Sequence, residues 1–150
     1  MIIKKSIDIE DEIRVALDPY LTVYCRPLPA DYGLPHILIT QVGGSESQTI
    51  DTFAVVLDSR ASTEAEALDY LHTAVGLVKQ IAKEQTTELR HVTVNSIASW
   101  GIDATRPDLA MCSARLEIVA HQGEESVEAK YHRIVGSDAA YIIGVEKETE

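Results

Sequence analysis

The stretch HILITQVGGSESQTIDTFAVVLDS, residues 36–59, holds two runs of strand-forming residues around a Gly-Gly pair and a series of small polar residues. Ile, Leu and Val dominate both runs, as a pleated, half-buried surface requires. Residues 36–42 are expected to form one strand and residues 50–59 the next. Gly43-Gly44-Ser45 predicts the break between them, because glycine readily supplies the positive φ of a tight reversal. In the second strand Phe53, Val55 and Leu57 take one face, and Asp51, Ala54, Val56 and Asp58 are assigned to the other. Ala54 and Val56 keep that second face apolar in its middle, so the strand is expected to be central or covered on both sides. A long hairpin of this kind points to antiparallel pairing.

The flanking sequence extends the pattern. Residues 7–17 read as a helix, with Ile9, Ile13, Ala16 and Leu17 at helical spacing and Asp8, Glu10, Asp11 and Glu12 at its positive end. Asp18-Pro19 stops it. Residues 21–26 read as a strand with Leu21, Val23 and Cys25 inward, and PLPADYGLP (27–35) as a loop. The best helix spans residues 63–85. Thr63 and Glu66 fit a capping box, and Ala65, Leu68, Leu71, Val75, Val78 and Ile81 are the expected buried stripe. LRHVTVNSIASWG (89–101) is a fourth strand in which Ile97 suggests a shift of phase. Residues 110–120 are a fifth, alternating Ala110, Cys112, Ala114, Leu116, Ile118 and Ala120 inward against Ser113, Arg115 and Glu117 outward. Residues 127–135 read as a further strand or an arm, and EKETE (146–150) as disordered. The expectation is an α+β fold, a mainly antiparallel sheet packed against one long and one shorter helix, with residues 1–122 as a single domain and 123–150 as a C-terminal extension.

A chain of 150 residues with formal net charge −11 has a core but no basic stripe, which argues against capture of a phosphate backbone. No apolar run is long enough for a membrane-spanning helix, and the N-terminus offers no signal-peptide h-region. Two cysteines, Cys25 and Cys112, read as reduced and buried, as in a cytoplasmic folding environment.

Catalytic signatures are not found. QVGGSES matches neither a phosphate-cradling loop nor a dinucleotide fingerprint. The histidines His36, His72, His91, His121 and His132 have no i, i+4 pairing and no C-x-x-C beside them, so they read as solvated or hydrogen-bonded side chains and no metal or cofactor is expected. Asp51 and Asp58 read as solvent-facing strand carboxylates. Trp100, the sole tryptophan, stands before a loop carrying Arg106 and Pro107, and Trp and Arg are enriched at interface hot spots.

Residues 35–121 resemble the tail terminator proteins of long-tailed bacteriophages and their tail-completion and head-to-tail joining relatives. The likeness is carried by ILITQVGG, by DTFAVVLDSRASTEAEALDYLHTAVGLV, and by VTVNSIASWGIDATRPDLAMCSARLEIVAH. It implies a structural virion protein that forms a ring, commonly a hexamer, caps the tail tube and offers a surface to the head or neck. It carries no catalytic residues. The implied partners are further copies of the chain, the tail-tube protein and a neck protein, with DNA passing through unbound and no membrane involved. The implied place is the virion tail or neck, after assembly in the host cytoplasm. Contact residues expected from the tip and loop are Gly43, Gly44, Ser45, Glu46, Ser47, Gln48, Trp100, Arg106 and Asp108. The alternative is a small ligand-binding or enzymatic α+β domain with a pocket between helix and sheet.

Overall fold

The hairpin forms, but longer than its hydrophobic runs suggest. The computed structural model describes residues 1–130, 132–133 and 142–143. In it β3 (His36–Glu46) pairs antiparallel with β4 (Ile50–Ala61) from His36↔Arg60 to Glu46↔Asp51. The expected break at Gly43-Gly44-Ser45 is not where the chain reverses. The ladder there shifts by one residue between Gln41 and Gly43, a bulge, and pairing continues to Glu46. The reversal comes at Ser47, whose N–H donates to the Ile50 carbonyl at 3.0 Å.

Two compact units divide the chain, residues 6–123 and residues 1–5 with 124–150. In the larger unit the remaining elements are α1 (Ile9–Leu17), β2 (Val23–Cys25), α2 (Glu64–Glu84), β5 (Leu89–Gly101) and β6 (Ala110–His121). The five strands lie in the order β2-β3-β4-β6-β5. The fold is thus α+β with two helices and a mainly antiparallel sheet, made mixed by one correction: β2 runs parallel to β3, with Val23 opposite Ile37. Because β6 separates β4 from β5, α2 is a crossover that carries the chain over one strand.

Local chemistry sets the helix ends. Asp8 accepts the Asp11 N–H at 3.2 Å, so α1 begins at Ile9 rather than at residue 7. Thr63 Oγ1 accepts the Glu66 N–H at 3.2 Å, and Gln85 closes α2 in the left-handed conformation, φ 57°. The buried face of α2 is Ala67, Leu71, Ala74, Val75, Val78 and Ala82. This rotates the expected stripe: Ala65 is exposed, and Leu68 and Ile81 are half-buried at its margins. Small alanines let the helix axis approach the sheet, so the larger side chains fill the flanks.

One face of the sheet meets the helices. Ile37 and Ile39, Val55 and Leu57, and Leu116 and Ile118 are fully buried with Ile9, Leu17 and Leu71. The other face alternates with it: Ala54, Val56 and Asp58 of β4 are only half-buried. Asp51 joins the first face, beside Phe53, and is 1% exposed, so its assignment to the outer face was wrong. Cys112 is buried as expected, while Cys25 is only partly so, its thiol donating to the Glu10 carbonyl at 3.4 Å.

In the smaller unit β1 (Ile2–Lys5), which carries no clear signal in the sequence, pairs with β7 (Gly123–Ser126). Lys4 and Lys5 bridge Glu124 and Glu125 at 2.7 and 2.9 Å. Exposed pairs of this kind add little stability. Of the strand or arm expected over residues 127–135, residues 127–130 are not regular, and His132–Arg133 form the two-residue strand β8, paired with β9 (Ile142–Ile143). The tail expected at 146–150 lies outside the described residues.

Candidate functional site: the two ends of the sheet

All nine candidate contact residues are exposed. They do not converge. The ladders place Glu46, Asp51, Ala120 and Leu89 at one end of the sheet, and His36, Arg60, Met111 and Gly101 at the other. With about 3.3 Å per residue along β4, the two groups stand about 30 Å apart.

The first end carries Gly43, Gly44, Ser45 and Glu46 on β3 and Ser47 and Gln48 in the reversal. It is held from beneath by Asp51. The buried carboxylate accepts Gln122 Nε2 at 2.8 Å and the Ser6 hydroxyl, and Gln122 Nε2 also donates to the Ser47 carbonyl at 3.1 Å. Every strong acceptor there has a donor, so burying Asp51 is compensated. Beside this end is an open groove of about 510 Å³, with Ser6, Gln41, Gly44, Glu46 and Phe53 among its lining.

The second end carries Trp100, 46% exposed, and Ile102, 78% exposed. With Pro107, Leu109, Met111 and Glu64 they line a depression of about 340 Å³. Two irregularities in β5, between Val94 and Ser96 and between Ser96 and Ser99, bring Trp100 opposite Cys112. The phase shift suggested by Ile97 is located there, with Ala98 at φ 62°. Arg106 and Asp108 form a bidentate exposed pair at 3.0 and 2.9 Å. That pairing raises the Arg106 pKa and lowers that of Asp108.

The loop after Trp100 is fastened to the sheet. Asp103 Oδ2 accepts Arg60 Nε at 3.0 Å, with both side chains largely buried, 12% and 14% exposed. Asp103 Oδ1 accepts the Thr105 hydroxyl at 2.7 Å and its N–H at 3.0 Å. These Thr105 bonds, and then Arg60, hold the Asp103 carboxyl below its usual range. Beside Arg60 across the ladder is His36, fully buried. Its Nδ1 donates to the Gly33 carbonyl at 2.8 Å, and Tyr24 and Tyr32 pack edge-on at 5.3 and 4.8 Å between ring centres. Neither His36 nor the Arg60–Asp103 lock was among the expected contact residues. The available signal was a single cation, Arg60, on a strand whose other charged residues, Asp51 and Asp58, are both acidic.

Burial lowers the His36 pKa, a shift opposed by its bond to Gly33 and reinforced by Arg60. The folded ring therefore stays neutral at pH values where the unfolded one, near 6.5, takes a proton. Stability from this group is full above that value and falls as pH drops below it. The melting temperature is expected to fall from about pH 7 to about pH 5, and His36→Phe to flatten that fall; parallel slopes for the two proteins would refute it.

Burial raises the pKa of both thiols, so neither is a ready nucleophile. Among the described residues no group of three or more His, Cys, Asp or Glu is placed to hold a metal ion. Asp51 and Asp58 lie on opposite faces of the sheet and cannot act as an acid–base pair. No protein-family model matches the chain, and no curated protein matches it.

Proposed function

We propose that the chain is a structural virion protein of a long-tailed phage or prophage: a tail terminator that assembles into a ring, caps the tail tube and joins it to the head or neck. The observation that supports this most is the placing of two unlike exposed patches at opposite ends of one continuous sheet. A connector needs two contact surfaces facing apart, whereas an enzyme needs groups that converge. One end offers a polar hairpin tip. The other offers exposed Trp100 at the end of β5 with Ile102 in the fastened loop that follows, and Trp is a residue type on which interfaces concentrate their binding energy. A net charge of −11 fits a lumen through which DNA passes without being held. On this reading the chain is not an enzyme and takes no cofactor, and its partners are its own copies, the tube protein and a neck protein.

The test is addition of the chain to polymerising tail tube. Capped tubes of limited length in electron micrographs are expected, and tubes that grow at the normal rate without a bound cap would remove the assignment. The second reading, a ligand-binding domain, has one observation in its favour. A depression of about 320 Å³ between α2 and β5 is lined by Lys79, Lys83, Arg90 and His91 among others. Saturable binding of inorganic phosphate or a nucleotide there would favour it.

A further inference from the structure

The five-stranded sheet has two uneven free edges. On one side β2 pairs with β3 only at Ile37, Leu38 and Ile39. Past Gln41, whose N–H donates to Glu10 Oε2 at 2.7 Å, β3 has β4 as its only strand neighbour among the described residues. On the other side β5 pairs, among the described residues, with β6 alone. Residues 33–45 and 91–102 contain no Asp, Glu, Lys or Arg. Natural sheets guard free edges with charge, and an unguarded one is a template for another strand. On so acidic a molecule, these two edges are where a second copy approaches with the least repulsion.

The edges also match in level, direction and face. Through the ladders Gly43 is level with Ala54, Glu117 and Thr93, and Ser45 with Thr52, Val119 and His91. Three antiparallel steps separate β3 from β5, so they run in opposite directions. A rotation about an axis along the strands changes neither height nor direction. It would bring the free half of β3 beside the next copy's β5 as an antiparallel pair, with Gly43 opposite Thr93 and Ser45 opposite His91. The next level of the ladders puts Glu46 opposite Leu89, the residue before Arg90. Glu46 pairs with Asp51, so it lies on the helix side of the sheet. The depression holding Lys79, Lys83 and Arg90 lies between β5 and α2, on the same side. None of those three cations has a carboxylate within salt-bridge distance among the described residues, whereas the tip brings one.

We infer that the free half of β3 of one copy adds antiparallel to β5 of the next, with Glu46 entering the Lys79–Lys83–Arg90 depression, so that the sheet continues around the ring. This rests on the ring-forming reading and specifies its joint. A heterologous contact repeated by rotation without rise along the axis gives a ring when the rotation is a whole fraction of a turn.

Single cysteines separate this joint from others. A mixture of Ser45→Cys and His91→Cys chains, assembled and then oxidised, is expected to give a disulfide-linked dimer that neither variant gives alone. The double variant is expected to give a ladder ending at the subunit number of the ring. Glu46→Lys is expected to lower ring yield by about tenfold or more, and adding Lys83→Glu to restore most of it. Far-ultraviolet circular dichroism checks that each variant is folded. Rings visible by electron microscopy whose Ser45→Cys and His91→Cys chains do not cross-link would overturn the joint and leave the terminator reading standing. A wild-type chain that forms no ring even on tail tube would overturn that reading and the joint with it.

Discussion

Asp103→Ala is expected to cost about 3 kcal/mol of stability and to detach the loop that packs beside Trp100. The cost comes from what is left behind rather than from the bond that is lost. Arg60 is largely buried, and its Nη1 already has no hydrogen-bond partner. Without Asp103 its Nε loses its carboxylate acceptor, and a guanidinium charge stays where water cannot reach most of it. Thr105 loses both of its bonds to the same carboxylate, so the turn from Asp103 to Arg106 loses its anchor. The chain's single tryptophan reports the result directly. Its emission should move to the red as Pro107 and Leu109 cease to shield it, with the denaturation midpoint falling in step. Asp108→Ala is the contrasting control. It breaks a bidentate pair of similar length, but an exposed one, and no change in midpoint is expected. Equal effects of the two substitutions would mean that the loop is not held through Arg60.

Gly44→Val should open the outer half of the hairpin. A Cβ at Gly44 would stand 2.5 Å from the Thr52 carbonyl oxygen and 3.2 Å from the Phe53 Cα, and φ there is +151°. Both obstacles are backbone of the paired strand, so no side-chain rotation relieves them. The strain is about 3 kcal/mol or more, concentrated at the end of a ladder, where local opening is the cheapest relief. Amide exchange is expected to accelerate over residues 42–54 while α2 and β6 keep their protection. The adjacent glycine makes the comparison sharp. A Cβ on Gly43 meets only the Ala54 methyl at an ordinary 3.9 Å, so Gly43→Ala should leave exchange unchanged. If both substitutions are silent, the bulged pairing through Gly44 is not the solution structure.

What could be read from the sequence was what repeats over short distances. The alternation of β6, the bounds of β5 and the cap of α2 each depend on neighbours within a few residues, and each is found where expected. The hairpin turn was not legible, because two local signals competed for it. A Gly-Gly pair marks a reversal only when nothing better lies nearby. Here Ser47 bonds Ile50, and Gln122 reaches the Ser47 carbonyl from 75 residues away. The parallel pairing of β2 is equally non-local: Tyr24 and Tyr32 close on His36, which no periodicity announces. Asp51 could have been placed, since strict alternation puts it with Phe53. Polarity alone assigned it outward, and the partners that compensate it, buried Gln122 and half-buried Ser6, were invisible. Exposure of the contact residues followed from composition. Their separation into two ends needed the ladders.

If copies join as proposed, the shortness of β2 governs how they gather. It covers three residues of β3, leaving a joint only a few residues long. Taken once, so small a seam would be weak, and dilute protein is expected to stay dispersed. In a closed circle every member is gripped on both flanks, and the final seam forms between tethered neighbours at high effective concentration. A β2 running the full height of β3 would leave nothing to grip, while its loss would bare an edge long enough for unprompted fibre growth. In the proposed ring, half a strand would set the threshold at which crowding onto a template, rather than chance collision, starts the circle.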